Sequence, residues 1–304
     1  MSGQASDAAE VLGTFSDQLA AAVEQAGAAV VRVDARRRQP ASGVLWAAGL
    51  VVTTDHVLER DEDIQVGLPN GQSVAATIAG RDPSTDLALL RVEAPGLAPV
   101  QRGSAPRVGH PILVVARPGE ALEASSGVVS AVSGPARTWR GGRLEGIIRT
   151  DATLYPGFSG GPVVDLAGRM LGLATSHLGR GAGLAIPLET VERVASSLQS
   201  HGRVKRGFLG LSSQPVALPE ALRQKLAEGQ ESGLLVSGVE VGGPAERAGL
   251  LVGDVLVALG GQPIRQTEDL LAQLGPERVG QATAAQVIRG GEPRDLTITV
   301  GERS

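Results

Sequence analysis

Apolar residues recur at helical spacing in only a few stretches of this chain, and elsewhere short apolar runs alternate with turn signals. Near the start, Leu12, Phe15, Leu19, Ala22 and Val23 share one helical face, which predicts a helix over roughly residues 8–27 before "AAVVRVDA" switches to strand character. From about residue 29 to 180, β-branched runs are separated by "PNGQ", "ARPGE", "SGP" and "RGGR", the signature of successive antiparallel strands. No βαβ alternation interrupts them. "IPLETVERVASSLQSHG" then places Leu188, Val191, Val194 and Leu198 on one face of an amphipathic helix whose end is marked by Gly202. After the short basic stretch "GRVKR", a second set of elements follows: "RGFLGL", a helix signal in "LPEALRQKLAEG", a capped helix in "TEDLLAQLG" and closing strands in "AAQVIRGGEPRDLTITV".

Composition narrows the function classes. A chain of 304 residues is comfortable for two domains, each able to bury a core. Twenty-eight basic and thirty-two acidic residues give a formal charge of −4, which offers no footprint for nucleic acid and no polybasic membrane patch. The absence of cysteine removes disulfides, thiolate catalysis and zinc ribbons, so packing must hold the strands together. No His/Asp/Glu cluster has ligand spacing and no glycine loop for phosphate opens a helix, so no metal and no cofactor is expected. The start, "MSGQASDAAEVLGTFSDQ", has neither a basic region nor an apolar run of signal-peptide length, and no stretch reaches eighteen consecutive apolar residues. A cytoplasmic location is the expectation, with a periplasmic or other extracytoplasmic one as the alternative if a leader has been removed.

The chemistry turns on "PGFSGGPV". Its serine fits the G-x-S-x-G elbow of an α/β-hydrolase and equally the glycine-framed serine of a trypsin-like barrel. After it comes "PVVDLAGRMLGLAT", with Pro162 opposing a helix and a turn at "LAG" splitting two apolar runs, which reads as a hairpin. Upstream, His56 follows the β-branched run of "VVTTDHVLE", and Asp86 precedes the apolar run of "DPSTDLALLRV". The order His56, Asp86, Ser159 disfavours the elbow, whose serine would come first.

With these segments the chain resembles the HtrA (DegP-like) serine proteases over about residues 14–302. The resemblance implies a mostly β fold: a trypsin-like double antiparallel β-barrel followed by a small α+β PDZ domain. The implied division is a helical segment at 1–28, the protease domain at 29–200, a linker at 201–206 and the PDZ domain at 207–304. Ser159 would attack a peptide carbonyl, His56 would move the proton, Asp86 would orient the imidazole, and the amides of Gly157 and Ser159 would form the oxyanion hole.

Two positions depart from the family pattern, since Phe158 stands where asparagine usually precedes the serine and Tyr155 where a second asparagine is usual. They are two of only six aromatic residues in the chain. Either they pack the loop against the barrel, or Phe158 shifts the oxyanion hole between open and collapsed forms. Thr153, six residues before the serine, stands where an acid would select basic residues, so a neutral pocket and cleavage after small or medium apolar residues are expected. Leu154, "LATSH" and "GLAIP" are expected to contribute to that pocket, and the remaining histidines, His110, His177 and His201, are read as surface or loop residues.

In the PDZ domain the resemblance gives the amides of Phe208, Leu209 and Gly210 to a ligand carboxylate and places Leu211 in the strand that pairs with the peptide. The segment 133–146, with Trp139 and several arginines, matches a loop that couples this site to catalysis, or is an ordinary surface hairpin. Unfolded polypeptides and C-terminal peptides are the implied partners, and a homotrimer built through the amino-terminal segment is the implied assembly. The function so read is an ATP-independent serine endopeptidase of protein quality control, the alternative being a proteolytically silent PDZ adaptor or holdase.

Overall fold

The computed structural model describes residues 2–94, 96–138, 141–179, 183–226 and 229–302, with backbone alone for residues 2–9. The chain divides into two compact units, Met1–Val204 and Lys205–Ser304.

The first unit holds two closed six-stranded barrels. In the first, the spatial order is Val30–Asp34, Ala41–Ala47, Leu50–Thr53, Leu87–Val92, Ser73–Asp82 and Ile64–Gly67, and the last strand pairs back onto the first. The second, made by Pro111–Ala116, Glu123–Val132, Ile148–Thr150, Pro162–Val164, Met170–Thr175 and Gly183–Pro187, repeats the same strand order around its ring. Closure leaves no sheet edge to protect. Residues with β-branched side chains face inward, so Val31, Val33, Val44, Val51 and Val66 fill one barrel while Ile112, Val114, Val129, Ile148 and Val163 fill the other. The turn at Leu166–Gly168 closes the hairpin after the "FSGG" glycines, with Val163 opposite Gly172.

Helix Leu188–His201 buries Val191, Val194 and Leu198 against the first barrel's core and ends at Gly202 in the left-handed conformation (φ 71°), the backbone state that glycine accepts most readily. The amino-terminal helix, Ser2–Gly27, is longer than the pattern predicted. Among the residues whose side chains are described, the last turns are packed, with Ala22 and Ala26 against Val30, Leu113 and Val164, while Leu12 and Phe15 of the same stripe stay 68% and 45% exposed.

The main sheet of the second unit runs in the order Leu211–Ala217, Ser232–Val239, Val255–Leu259, Ala282–Arg289 and Glu292–Thr299, with Gln262–Pro263 paired to Val255–Leu259 off that path. Helix Thr267–Ala272 is capped by Gln266 and Asp269, each accepting from the other's end of the first turn. The helical signal of "LPEALRQKLAEG" yields only Glu220–Arg223. Leu218, Val257 and Ile288 bury together, and both Leu222 and Leu226 pack against them.

Asp254 anchors this unit from inside, at 1% exposure. Burial alone would push its carboxyl up, but Arg289 Nε and Nη2 at 2.8 and 2.7 Å and the Leu251 amide at 2.9 Å outweigh burial and hold it below the ordinary carboxylate range. A depressed folded-state value means that the pair's stabilisation is complete above the unfolded value of about 4 and is lost as pH falls through the folded one. Asp254→Asn is expected to lower the unfolding midpoint of this unit by about 5 °C or more at pH 7 and to flatten its acid dependence below pH 4, read by calorimetry. Equal midpoints at pH 7 would discount the pair.

Candidate active site

Three turns bring the sequence-predicted residues together where the two barrels of the first unit meet. The fully buried strand Leu50–Thr53 runs into a single 3-10 turn, Asp55–Val57, pegged by the buried Asp55 and Val57, and this leaves His56 at the rim. Asp86 lies at the end of the turn joining Ser73–Asp82 to Leu87–Val92, 1% exposed and with φ 58°. Aspartate is among the few side chains that tolerate this left-handed conformation. The Asp55 amide donates to the Asp86 carbonyl at 3.1 Å and the His56 amide to Asp86 Oδ1 at 3.0 Å, so the two turns lock together. His56 Nδ1 then sits 2.9 Å from both carboxylate oxygens.

Consecutive residues fasten both turns. Arg81 donates to Asp55 Oδ1 and Asp61 Oδ1, each at 2.6 Å, and to the carbonyl of Leu58 at 3.1 Å, gripping the His56 turn. Asp82, also buried, accepts from the Ser84 hydroxyl and the Thr85 hydroxyl at 2.7 Å each, shaping the Asp86 turn. From the second barrel, the buried Thr175 hydroxyl donates to Asp86 Oδ2 at 2.6 Å. Sequence reasoning missed all three, although the charged pair Arg81-Asp82 at the end of an otherwise apolar-patterned strand was a signal that the strand end carries more than a turn.

Ser159 lies in a loop threaded between the barrels, at 6% exposure. The Ser42 amide donates to the Ser159 carbonyl at 3.2 Å, the Gly160 amide to the Ala174 carbonyl at 2.9 Å, and the Ala174 amide to the Gly161 carbonyl at 2.9 Å. Gly157 and Gly160 both have φ 87°, a region costly for residues with a β-carbon. The Pro156 carbonyl accepts from Gln39 at 3.2 Å and the Gly157 carbonyl from the Ser42 hydroxyl at 2.8 Å. With those carbonyls held, the Gly157 and Ser159 amides donate to no protein acceptor among the described residues.

Phe158 is fully buried with Ile112, Val129, Ile148 and Val163, and its ring meets Tyr155 edge-on at 5.4 Å. It packs the loop against the barrel, the first of its two expected roles. Tyr155 is exposed. A cavity of about 570 Å³ beside the loop is lined by Thr153, Leu154, Asp151, Ser176 and Gly183, among others. The reading of Thr153 alone understated its polarity: Asp151 and Arg149 also line it, although Asp151 Oδ1 is occupied by the Val128 amide at 2.7 Å.

His110 and His201 lie away from this constellation, but His177 does not, since its ring stacks on that of His56 with centroids 5.2 Å apart. Within segment 133–146, Ala136–Arg137 pairs with Arg143–Leu144, and the Thr138 hydroxyl donates to the carbonyl of Ser84 at 2.6 Å. That contact attaches the hairpin to the turn carrying Asp86. Trp139 and Arg140 lie outside the described residues.

In the second unit, Gly207–Phe208 pairs with Gly301–Glu302, and Leu209 is buried. The Leu209 carbonyl accepts from the Ala245 amide at 2.7 Å and the Gly210 carbonyl from Glu240 at 2.8 Å, with Gly210 at φ 73°. The half-buried Leu211 opens strand Leu211–Ala217, which lies at the edge of the sheet with helix Thr267–Ala272 beside it. An edge strand next to a helix is the arrangement that accepts an added peptide strand.

Comparison with known proteins follows the same division. Residues 41–173 match the trypsin-like peptidase domain family and residues 207–300 the PDZ domain family. The chain is 34% identical over 266 residues to a "Probable periplasmic serine endoprotease DegP-like" of Ectopseudomonas mendocina, covering 85% of this chain and 55% of that protein. It is 32% identical over 275 residues to the protein of the same name in Halomonas elongata, covering 88% and 57%. It thus spans little more than half the length of these curated relatives. Among solved structures, the HtrA-type protease AlgW with a decapeptide aligns at a TM-score of 0.76 and 31% identity, covering 94% of this chain and 99% of that one. A serine endoprotease from Yersinia pestis aligns at 0.76 and 28% identity, covering 94% and 98%.

Proposed function

The chain belongs to the HtrA-type, DegP-like family of serine proteases, a trypsin-like peptidase domain joined to a PDZ domain, and on that premise we propose that it is an ATP-independent serine endopeptidase of unfolded proteins. The observation that carries this reading is the pairing of a buried Asp86 carboxylate with His56 Nδ1 at 2.9 Å beside a serine whose loop leaves two amides unclaimed. Ser159 Oγ attacks the scissile carbonyl and its proton passes to His56 Nε2. Asp86 stabilises the imidazolium so formed, and the Gly157 and Ser159 amides receive the oxyanion. His56 returns the proton to the leaving amine, and water resolves the acyl-enzyme by the same steps reversed.

Extended segments with small or medium apolar residues before the cut fit the part of the cleft lined by the uncharged Thr153, Leu154 and Gly183. Peptide C-termini bind the second unit through the amides of Phe208, Leu209 and Gly210, adding a strand along Leu211–Ala217, and so target or stimulate cleavage. The decapeptide complex of the AlgW relative supports peptide binding as a family trait. The relatives' names support work in the periplasm in preference to the cytoplasm. Exposed Val11, Leu12 and Phe15 on the amino-terminal helix support self-association, for which we propose a homotrimer.

What supports an active enzyme over a silent adaptor is the loop itself: Phe158 is absorbed by the core, and the carbonyls of Pro156 and Gly157 are both held by side chains. The test is digestion of unfolded casein by the purified chain, with and without a peptide ending in an apolar residue. Cleavage that is stimulated by the peptide and blocked by a fluorophosphonate found by mass spectrometry on Ser159 is expected. Intact casein under both conditions would overturn the reading.

A further inference from the structure

One group reaches the reacting atoms that the sequence pointed to only as part of a substrate pocket. Ser176 follows the buried strand Met170–Thr175 and is itself exposed. Its hydroxyl lies 3.0 Å from Ser159 Oγ and 3.5 Å from His56 Nε2, and its amide donates to Ser159 Oγ at 3.3 Å. Among the described residues, Ser159 Oγ has no direct hydrogen bond to His56.

Resting on the triad reading above, we propose that Ser176 is a further residue of the active site, whose hydroxyl and amide hold the Ser159 hydroxyl off His56 in the free protein until substrate displaces that contact.

The histidine cannot close the gap by turning. Its Nδ1 is 2.9 Å from both oxygens of Asp86, and its ring face is covered by His177 at an interplanar angle of 15°. The serine side chain is therefore the element that rotates. Three consecutive residues act on the triad at once: Thr175 donates to Asp86 at 2.6 Å, Ser176 engages Ser159, and His177 stacks on His56 while its amide donates to the Thr175 hydroxyl at 3.1 Å. A hydroxyl has one proton to donate, so when Ser159 gives its proton to Ser176 it cannot also give it to His56. An O–H···O contact of 3.0 Å is within bonding range, whereas 3.5 Å from Ser176 to the imidazole is at the outer limit. Substrate lying against the exposed end of this strand competes for the Ser176 amide and releases the serine. On attack, the Ser159 O–H bond breaks, its proton goes to His56 Nε2, the Oγ–C bond forms and the carbonyl electron pair moves to the oxyanion. Ser176 gains and loses no atom in this sequence.

The test is the second-order rate constant for labelling of the free protein by a small fluorophosphonate, in the wild type, Ser176→Ala and Ser176→Thr. Losing one neutral hydrogen bond from the resting state predicts labelling about two- to tenfold faster in Ser176→Ala, and Ser176→Thr, which keeps the hydroxyl, returns the rate to near wild type. General damage to the site would slow both variants. Equal rates in Ser176→Ala and wild type would overturn the proposal, and a slower rate in Ser176→Ala would overturn it by placing the hydroxyl on the proton path. No labelling of Ser159 in any of the three proteins would overturn the triad reading, and this proposal with it.

Discussion

Asp86→Asn is expected to lower the turnover of an unfolded substrate by about 10⁴-fold while the protein unfolds within a few degrees of the wild type. Asparagine tolerates the φ of 58° at this position as well as aspartate does, so the turn survives the change. It also keeps an oxygen for the His56 amide and a polar group for the Thr175 hydroxyl, which bond to Oδ1 and Oδ2 at 3.0 and 2.6 Å. What it removes is the negative charge beside Nδ1. Without it the imidazolium formed during attack is uncompensated in a buried corner, and an amide N–H₂ turned toward the ring selects the wrong tautomer. Asp86→Ala would confound the two effects, since alanine is strained at positive φ. The measurement is turnover of a fluorogenic casein alongside thermal unfolding. A loss under tenfold in Asp86→Asn with an intact fold would show that His56 does not rely on this carboxylate.

Gly160→Ala is expected to destabilise the first unit by about 3 kcal/mol or more and to abolish labelling of Ser159. Two penalties coincide there. The φ of 87° disfavours any β-carbon, and a β-carbon at this position would run into the carbonyl of Ser42 and lie 2.5 Å from Thr53 Oγ1. Neither neighbour can step aside freely, because that carbonyl accepts from Thr53 at 2.7 Å while the Ser42 amide holds the Ser159 carbonyl at 3.2 Å. Displacement therefore propagates into the backbone of Ser159 itself. Denaturant unfolding of Gly160→Ala against wild type measures the effect. A cost below 1 kcal/mol would mean that this loop is more pliable than its contacts indicate.

The pattern of short β-branched runs was enough for successive antiparallel strands, because alternation is a local property and each strand carries its own, whereas their closure into two barrels came with the family resemblance and the observed pairing. The helix at Leu188–His201 was equally legible, with apolar spacing, an acidic first turn and a terminal glycine all pointing one way. The amino-terminal helix was legible in type and not in contacts. Its apolar stripe runs on past the barrel, so periodicity predicted helix correctly while Leu12 and Phe15 gained nothing to pack on within the described residues. In "LPEALRQKLAEG" the helical signal ran further than the helix, which spans Glu220–Arg223.

His56, Asp86 and Ser159 could be named from the sequence because each sits beside a local signal: a β-branched strand, a turn before an apolar run, a serine among glycines. Their neighbours could not. Arg81 and Asp82 carried only the weak signal of a charged pair at a strand end, Thr175, Ser176 and His177 were part of an expected pocket segment, and their contacts arise because barrel closure sets strand ends from distant segments side by side. Thr175 is 89 positions from Asp86 and Ser176 is 120 from His56. By itself the sequence determined most element types, the two-part architecture and the order His56, Asp86, Ser159, since those depend on short-range spacing and on side-chain chemistry. Only the tertiary structure decided which hydroxyl meets the carboxylate, that Phe158 turns into the core, and that Ser159 rests against Ser176, because hydrogen bonds of about 3 Å depend on strand register and loop path that no local pattern encodes.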